Sequence, residues 1–573
     1  MTANIRVSQT AVIIDGYVDE PACFGVPPYI SPYPRYVAGA LIERGFSEDA
    51  VSYFTIDQIR ESSGDAALHI SREIKNASVL IIISGMTVPG KYLRFSPVTV
   101  DEIRSIFRIG TGLKILGGPI RLGYSAEGGQ KASDLSAFLP DDVLLAEKDV
   151  ESFVFDRVSG ISAPHRFRTT EEIARWSKLG AFLIKKHPLY PNILCELETY
   201  RGCGRREFCS FCTEPSYGRP DFRRIEDIVS ETACLYGAGA RHFRIGRQPD
   251  LFAYMGVDDG GASLRPNPDA LEALYAGIRR AAPELKTLHM DNGNPLTLAA
   301  YPDECRRILE TIVKYHTPGD VIAMGLESAD PAVIRENKLK ASPDAVFEAV
   351  KLVNDVGGAR GKNGLPEILP GINFVHGLIG ETKETFRFNE AFLKKVYDSG
   401  LSLRRINIRQ VITFPKTPMA GHEDIVVKNS RFFADYKEKI RKEIDLPMLR
   451  RLVPAGTILR DVYAELNETT PGKNRITYAR QFGTYPLLVG LPGSFPTDRF
   501  LDVLVTRHGY RSVTGIPYPL PINTAELSFL KELPGLNKQT AEEVMLKRPF
   551  KDRSDLIERT SFGKLIADYV SYD

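Results

Sequence analysis

The chain has 573 residues, of which 43% are hydrophobic and 25% charged, and its formal net charge is +2. This ordinary globular mixture excludes disordered, collagen-like and mucin-like classes. A protein that mainly coats nucleic acid would be more basic, so we expect any nucleic-acid contact to be local. The longest apolar run, Val79–Ile83, is far shorter than the ~20 residues that cross a bilayer. The N-terminus shows no secretory signal, so we expect a cytoplasmic protein without membrane contact.

Residues 1–160 alternate short apolar runs with amphipathic stretches. Helices are predicted at Tyr36–Arg44 and Val98–Ile109. The predicted strands are Ala11–Asp15, Val51–Thr55, Val79–Ser84, Lys114–Leu116 and Val143–Ala146. Repeated strand–helix units predict a doubly wound α/β domain, in which ligands bind at the carboxyl ends of the strands.

A connector is predicted at residues 161–190, and it contains the only tryptophan, Trp176. A second strand–helix series follows at residues 191–430. Its six predicted strands are Ile193–Glu198, His242–Ile245, Thr287–Asp291, Val321–Leu326, Ile372–Leu378 and Arg405–Thr413. Six such units predict a partial or full β/α barrel, with the active site at the C-terminal strand ends.

The pattern changes after about residue 450. A small β-barrel is predicted over residues 450–518, with strands at Thr457–Leu466, Arg475–Gln481, Pro486–Gly490 and Phe500–Thr506. Residues 523–573 are predicted to be helical.

Within this last segment, LKELPGLNKQTAEEV resembles a helix-hairpin-helix, in which backbone N–H groups hold a phosphate. Asn537, a residue type that tolerates a left-handed backbone, replaces the second glycine of that motif. The nearby cations are Lys538, Lys547, Arg548, Lys551 and Arg553. The segment therefore predicts either a nucleic-acid contact, a packing element or a grip on a protein partner.

Three of the seven cysteines lie within ten residues with the spacing C-x5-C-x2-C. They are Cys203, Cys209 and Cys212. Three thiolates can hold three irons of a 4Fe–4S cluster and leave the fourth iron without a protein ligand. Cations at Arg201, Arg205 and Arg206 favour thiolates there. The alternative is a structural zinc site with Cys195 as fourth ligand, although Cys195 lies in a predicted strand and can face away.

The stretch RGC…CSFC after a strand resembles the radical S-adenosylmethionine (SAM) superfamily, whose usual first gap is two residues shorter. Three further segments resemble motifs of these enzymes in the same order. They are GLESADPAVIRENK (Gly325–Lys338), HGLIGET (His376–Thr382) and RQVITFPKTPMA (Arg409–Ala420). The resemblance implies a 4Fe–4S cluster on the three clustered cysteines. It also implies SAM contacts by Phe211, Gly246, Gln248, Glu327, Ser328 and Gln410.

Many radical SAM enzymes carry a doubly wound, cobalamin-binding domain before the barrel, and residues 1–160 resemble it. This implies cobalamin contacts by Ser84, Gly85, Thr87, Gly117, Gly118, Pro119 and Glu147, where small residues let a flat macrocycle approach. A D-x-H-x-x-G motif is absent, so the lower face of cobalt is open, water-bound or held by another residue. Alternatively the domain binds nothing. A second iron–sulfur cluster, as in methylthiotransferases, would need more cysteines there than Cys23.

The resemblance implies a cobalamin-dependent C-methyltransferase. In such an enzyme an external reductant gives one electron to the cluster, and SAM is cleaved. The resulting radical takes hydrogen from an unactivated sp3 carbon, and methylcobalamin supplies the methyl group. The chain resembles archaeal radical SAM proteins with a C-terminal helix-hairpin-helix, and also the glutamine C-methyltransferases of methyl-coenzyme M reductase. We therefore expect a protein or peptide substrate rather than nucleic acid. The alternatives are a radical SAM RNA-modifying enzyme without cobalamin, and a nucleic-acid-binding protein with a structural metal site.

Overall fold

The computed structural model describes residues 9–17, 29–85, 96–125, 128–135, 138–161, 163–261, 263–468 and 475–573. Within these ranges, every helix is too short or too polar to cross a bilayer.

The N-terminal domain is built on a five-stranded parallel sheet. Its segments are strands β1 (Ala11–Asp15), β2 (Tyr29–Ile30), β3 (Val51–Thr55), β4 (Val79–Ile83), β5 (Leu113–Gly117) and β6 (Val143–Leu145), and helices α1 (Pro32–Glu43), α2 (Ile56–Glu61), α3 (Gly64–Asn76), α4 (Val100–Ile109) and α5 (Val150–Val158). The sheet order is β3-β1-β4-β5-β6, which confirms the doubly wound fold and puts its switch point between β1 and β4. β2 belongs to a different sheet.

Both faces of this sheet are buried, which explains the uninterrupted apolar run of β4. Successive side chains of β1 face opposite sides, so Ile13 and Ile14 enter two different core clusters. The cluster around Ile14 also holds residues of α3 and α4. The cluster around Ile13 holds residues of α1 and α5 and continues into the barrel, so the N-terminal domain and the barrel share one core.

The barrel contains six parallel strands. Its segments are α6 (Thr170–Leu179), β7 (Leu194–Glu198), β8 (Tyr200–Arg201), β9 (Asp221–Phe222), α7 (Ile225–Gly237), β10 (His242–Gly246), α8 (Pro268–Ala281), β11 (Thr287–Met290), α9 (Pro295–Ala300), α10 (Pro302–Tyr315), β12 (Asp320–Glu327), α11 (Pro331–Glu336), α12 (Pro343–Gly357), β13 (Ile368–His376), α13 (Lys383–Asp398), β14 (Arg405–Gln410), α14 (Asp424–Ile440) and α15 (Leu446–Leu452). Two sheets, β11-β10-β7-β2 and β12-β13-β14, meet at a bridge between Asn292 and Ala323. The barrel is therefore partial, and β14 is its last strand.

Strand β2 and helix α1 join the N-terminal domain to the barrel. β2 pairs in parallel with β7 and extends the barrel sheet by one short strand. α1 is buried from Pro32 to Leu41, and its Arg35 forms a buried salt bridge with Glu231 of α7. A helix buried on all sides shows little amphipathic pattern, so the sequence does not indicate this contact.

The C-terminal region contains a closed barrel with strand order β15-β16-β17-β19-β18. Its segments are β15 (Ile458–Glu468), β16 (Ile476–Gln481), β17 (Leu488–Pro492), β18 (Arg499–His508), β19 (Ser512–Tyr518), β20 (Leu520–Pro521), α16 (Leu527–Leu530), α17 (Lys538–Lys547), α18 (Arg553–Arg559), α19 (Gly563–Ile566) and β21 (Val570–Ser571). The predicted small β-barrel is confirmed, with one strand more than expected. That strand, β19, contains Gly515 and Pro517, which weaken a strand pattern.

The predicted hairpin segment forms helices α16 and α17 around a turn. Gly535 has a left-handed backbone, with φ of +83°. Asn537 does not, because its φ is −119° and its side chain accepts a hydrogen bond from the Thr540 N–H as the N-cap of α17. Asn537 therefore serves as a helix cap and not as a substitute for a left-handed glycine.

Candidate functional site

A loop between β7 and α7 carries the three clustered cysteines, and we call residues 202–220 the cysteine loop. β8 pairs antiparallel with β9 and closes its base. Gly202 has φ of +88°, and a Cβ there would lie 2.4 Å from the Arg219 carbonyl oxygen, so only glycine fits. At the tip, the Ser210 hydroxyl donates to Asn337 Oδ1 at 2.7 Å. The loop is thus fixed at its base and at its tip.

The three thiols are close enough to influence one another. Burial raises the pKa of Cys203, Cys209 and Cys212, and the charge of Cys209 raises that of Cys212 further. A cation opposes this effect at Cys209, whose Sγ accepts a hydrogen bond from Arg205 at 3.0 Å. Thiolates at this position therefore need a strong positive partner. Three thiols on one loop, with Cys212 facing a cavity, suit the irons of a cluster.

The other described cysteines lie apart from this loop. Cys195 is buried, and the charged groups that act on its thiol are Arg35 and Glu231. Cys234 is exposed on α7, and Cys305 is buried on α10. Cys195 therefore faces away, and the zinc alternative lacks its fourth ligand. Across the described ranges, no group of three or more His, Cys, Asp or Glu side chains is arranged to hold a single metal ion.

A cavity of about 280 Å3 lies where the cysteine loop, the barrel strands and the N-terminal domain meet. Its lining includes four predicted SAM contacts, namely Phe211, Gln248, Glu327 and Gln410. Gly246 and Ser328 are not among its lining residues. The Ser328 hydroxyl accepts a hydrogen bond from the Asp330 N–H at 3.1 Å, and Gly246 packs against Glu196. The structure therefore gathers four of the six residues at one cavity, while SAM binding by all six stays a prediction.

Glu327 occupies a strained position at the end of β12. Its φ is +64°, and the register between β12 and β13 shifts at this point. Such outliers in non-glycine residues occur at functional sites. Burial raises the pKa of its carboxyl group, although Lys340 and Arg409 lower it. A carboxylate between two cations at a cavity wall can bind a polar ligand group.

Several polar lining residues were not predicted from the sequence. They are Tyr217, Arg247, Asp291, Asn292, Lys340, Asn373, Asn407 and Arg409. Asp291 and Asn292 directly follow β11, so their strand-end position was an available signal. Lys340 lies in the loop between α11 and α12 and reaches the cavity only through the tertiary fold.

The C-terminal edge of the N-terminal sheet abuts the cysteine loop. Pro119 lines the cavity, and Arg121 lies 5.0 Å from the centre of the Tyr217 ring. The Arg121 guanidinium also donates to the Glu147 carbonyl oxygen at 3.1 Å. The predicted cobalamin edge is therefore next to the predicted SAM site.

The small residues at this edge contact their own chain closely. The Ser84 N–H donates to the Gly117 carbonyl oxygen at 3.0 Å. A Cβ at Gly118 would lie 2.6 Å from the Ser84 carbonyl oxygen, and one at Gly117 would lie 2.3 Å from a methyl group of Val150. These glycines thus allow close packing against their own chain, which differs from the expectation that they leave room for a ligand. The predicted contact Thr87 lies outside the described residues.

A buried ion network joins the connector, the N-terminal domain and β7. Arg201 contacts both carboxylate oxygens of Asp149, at 2.5 and 2.6 Å. Arg168 contacts Glu151 at 2.7 Å and also pairs with Glu198. Burial raises the pKa of Asp149, but the charges of Arg201 and Arg168 outweigh that effect and bring the pKa below its ordinary value. The network fixes the base of the cysteine loop against the N-terminal domain.

Comparisons with known proteins agree with this architecture. Residues 197–388 match the model of the Radical SAM superfamily. The chain is 46% identical over 517 residues to Uncharacterized protein MJ0274 of Methanocaldococcus jannaschii, covering 88% of this chain and 92% of that protein. It is 42% identical over 548 residues to a protein of Archaeoglobus fulgidus named Uncharacterized protein, covering 95% and 96%.

Among solved structures, one similar chain is the radical S-adenosylmethionine methyltransferase TsrM from Kitasatospora setae. The identity is 16%, the alignment covers 72% of this chain and 75% of that chain, and the TM-score is 0.48. The radical SAM match itself spans β7 to α13 and includes the cysteine loop and Glu327. The chain thus belongs to the same family as the Methanocaldococcus and Archaeoglobus proteins, and it contains a radical SAM domain, whose cofactors are a 4Fe–4S cluster and SAM.

Proposed function

We propose that this protein is a cobalamin-dependent radical SAM C-methyltransferase that acts on an unactivated sp3 carbon of a protein or peptide. The observation that carries the proposal is the shared cavity. Cys212 and Phe211 of the cysteine loop, Glu327 of the barrel and Pro119 of the N-terminal domain all line it. One small volume thus adjoins both predicted cofactor sites.

The residues of the radical SAM domain have distinct roles in this proposal. Cys203, Cys209 and Cys212 would hold the cluster, which would supply the electron for cleavage of SAM. Glu327 binds a polar group of SAM, and Gln248, which follows β10, and Gln410, at the end of β14, orient it. Phe211 covers one side of the cavity and excludes water, which protects a reactive radical.

The N-terminal edge is proposed to face cobalamin. Ser84, Gly85, Gly118, Pro119 and Glu147 lie on that edge, beside the cysteine loop. Cobalamin would supply the methyl group. Gly117 and Gly118 contact their own chain and fix the edge rather than form a cradle. The proposal that cobalamin binds here is therefore supported by the position of this edge alone. An external one-electron reductant would reduce the cluster.

A glutamine of methyl-coenzyme M reductase is the specific substrate that the sequence resemblance suggests. A side-chain methylene of such a residue is an unactivated sp3 carbon, as the radical chemistry requires. A purified peptide carrying that glutamine is therefore the first substrate to test.

Loss of SAM cleavage tests the radical SAM part of the proposal. Reconstituted, anaerobic protein with dithionite should form 5′-deoxyadenosine from SAM. Cys212→Ala should abolish that product, whereas Cys234→Ala, which removes an exposed thiol on α7, should not. Equal product from the Cys212→Ala protein would refute the cluster assignment.

Methyl transfer tests the other part of the proposal, which is the cobalamin-dependent methylation. With deuteromethyl-SAM, methylcobalamin and reductant, a peptide substrate should gain one labelled methyl group, and extraction should yield corrin in proportion to protein. SAM cleavage without corrin, together with labelled RNA, would favour the RNA-modifying alternative. A colourless protein that contains zinc would favour the nucleic-acid-binding alternative.

A further inference from the structure

A second and larger cleft lies along the open side of the barrel. Its volume is about 870 Å3, and one wall consists of the consecutive residues Leu403–Gln410, which contain β14. The opposite walls come from α14, α15 and the C-terminal barrel. We call this the basic cleft. It shares Asn407, Arg409 and Gln410 with the cavity at the cysteine loop, so the two spaces adjoin along one strand.

The basic cleft carries a large excess of positive charge. Its described cations are Arg404, Arg405, Arg409, Lys437, Arg441, Arg480 and Arg511, and its one described acidic residue is Asp445. Arg480 is paired with Glu465. No salt bridge within the described ranges engages Arg404, Lys437, Arg441 or Arg511. Cations held together without matching carboxylates favour an anionic ligand.

Arg404 shows the effect most clearly. Its Nε atom is buried and lacks a hydrogen-bond partner among the described residues. Burial, and then repulsion from Arg511 and Arg405, lower the pKa of its guanidinium to about 10. An anion in the cleft would relieve this repulsion. A buried polar atom without a partner costs free energy that a ligand can recover.

The shape of the cleft indicates an extended ligand. β14 is the last strand of the order β12-β13-β14, and the cleft is lined by its six residues and by the two residues that precede them. At ~3.3 Å per residue, the strand is ~20 Å long. The outer edge of a strand offers backbone N–H and C=O groups, with which an extended peptide can pair. Nucleic acid cannot reproduce that pairing.

The C-terminal segment that resembles a helix-hairpin-helix (residues 523–573) is less suited to bind an anionic partner. Lys547 pairs with Glu543 at 2.7 Å, and Arg553 pairs with Asp568. Arg548 donates to the Ala525 carbonyl oxygen at 2.6 Å. Ion pairs thus engage Lys547 and Arg553 of that segment, whereas no salt bridge within the described ranges engages Arg404, Lys437, Arg441 or Arg511 of the basic cleft.

We infer that the basic cleft binds an extended acidic segment of a polypeptide substrate, which lies along β14 and leads a target residue toward the cavity at the cysteine loop. The inference rests on the proposed function for the nature of the reaction, but the binding itself needs neither SAM nor a reduced cluster.

Binding of a short labelled peptide to the full-length protein tests the inference. The probe is a fluorescein-labelled octapeptide of alternating Glu and Val, measured by anisotropy. Comparison probes of equal length are alternating Lys and Val, and oligouridine. The acidic peptide should bind, and its affinity should fall with added salt because screening shortens the range of the charges. The basic peptide should not bind.

Charge reversal identifies the surface. The double variant R441E/R511E should weaken binding of the acidic peptide at least tenfold. The matched control K442E/K564E carries the same change in net charge on exposed residues outside the cleft lining, and should stay within twofold of the wild type. Should the double variant fold poorly, Arg511→Gln alone should still weaken binding about threefold. No binding, or equal losses in both double variants, would overturn the inference.

Tighter binding of oligouridine that is lost in R441E/R511E would also overturn it, in favour of nucleic acid. Formation of 5′-deoxyadenosine without peptide, measured on the same preparations, separates the two proposals. R441E/R511E should retain this activity. If the wild type binds the peptide but never cleaves SAM, the proposed function fails while the cleft assignment stands.

Discussion

Removing Asp149 should destabilise the contact between the N-terminal domain and the cysteine loop. Its carboxylate contacts Arg201 at 2.5 and 2.6 Å and accepts a hydrogen bond from the Arg168 N–H at 2.7 Å. Both salt-bridge side chains, Asp149 and Arg201, are 3% exposed. In Asp149→Ala, the described carboxylates that still act on the buried Arg201 are Asp221, at 3.5 Å, and Glu198. Breaking a buried pair in this way costs ~3–5 kcal/mol, a large part of the ~5–15 kcal/mol that stabilises a typical domain.

The single tryptophan reports this loss. Trp176 is fully buried on α6 and lies 5.1 Å from the Phe155 ring, so its fluorescence follows separation of the connector from the N-terminal domain. Urea unfolding at pH 7 should show a clearly lower midpoint for Asp149→Ala. The control is Asp355→Ala, which removes an exposed pair with Arg306 at 3.7 Å and should have little effect.

Two outcomes decide this prediction. In Asp149→Ala/Arg201→Met the buried arginine is gone as well, so part of the lost stability should return. If the Asp149→Ala midpoint equals that of Asp355→Ala, the ion network does not hold the cysteine loop and the reasoning fails.

Three further changes test other parts of the structure. Burial, and then the charge of Asp149, raise the pKa of Glu151 to about 7, above the ~4.3 of an exposed glutamate. The contribution of Glu151 to the free energy of unfolding is therefore present at low pH and is lost as pH rises through 7. The urea midpoint of the wild type relative to Glu151→Gln should fall between pH 5.5 and 8.5, and a constant difference would contradict this. Gly202→Ala would place a Cβ 2.4 Å from the Arg219 carbonyl oxygen and should lower the iron bound per protein. Gly218→Ala, at a position that is also left-handed but where a Cβ meets open space, should lower it less. Asn537→Ala removes the N-cap of α17 and should cost ~1 kcal/mol in thermal unfolding of the C-terminal region, while Asn537→Ser should cost little.

Much of the fold was predictable because its signals are local. β1 and β3 have the predicted bounds, since short apolar runs between turn residues are typical of buried parallel strands. Other contacts depend on residues far apart in the chain. β2 is two residues long and is a strand only because β7 lies beside it, and β13 begins at Ile368 through pairing with β12.

The same distinction applies to the candidate site. The cysteine spacing is a local pattern, and the structure places those residues on one loop. Glu327 was identified through a motif, but its strained backbone and its two cationic neighbours arise from the barrel geometry. Lys340 belongs to no motif, and the basic cleft combines residues of β14, α14 and the C-terminal barrel. Such convergence follows from packing and leaves no pattern in the sequence.

The central claim is that three cysteines leave one iron open to SAM. Electron–nuclear double resonance of the reduced, reconstituted protein, with SAM labelled by 13C at the carboxyl group and 15N at the amino group, tests it most directly. We predict hyperfine coupling of both labels to the cluster. A cluster spectrum that SAM leaves unchanged, or a protein that binds no iron under anaerobic reconstitution, would contradict the account.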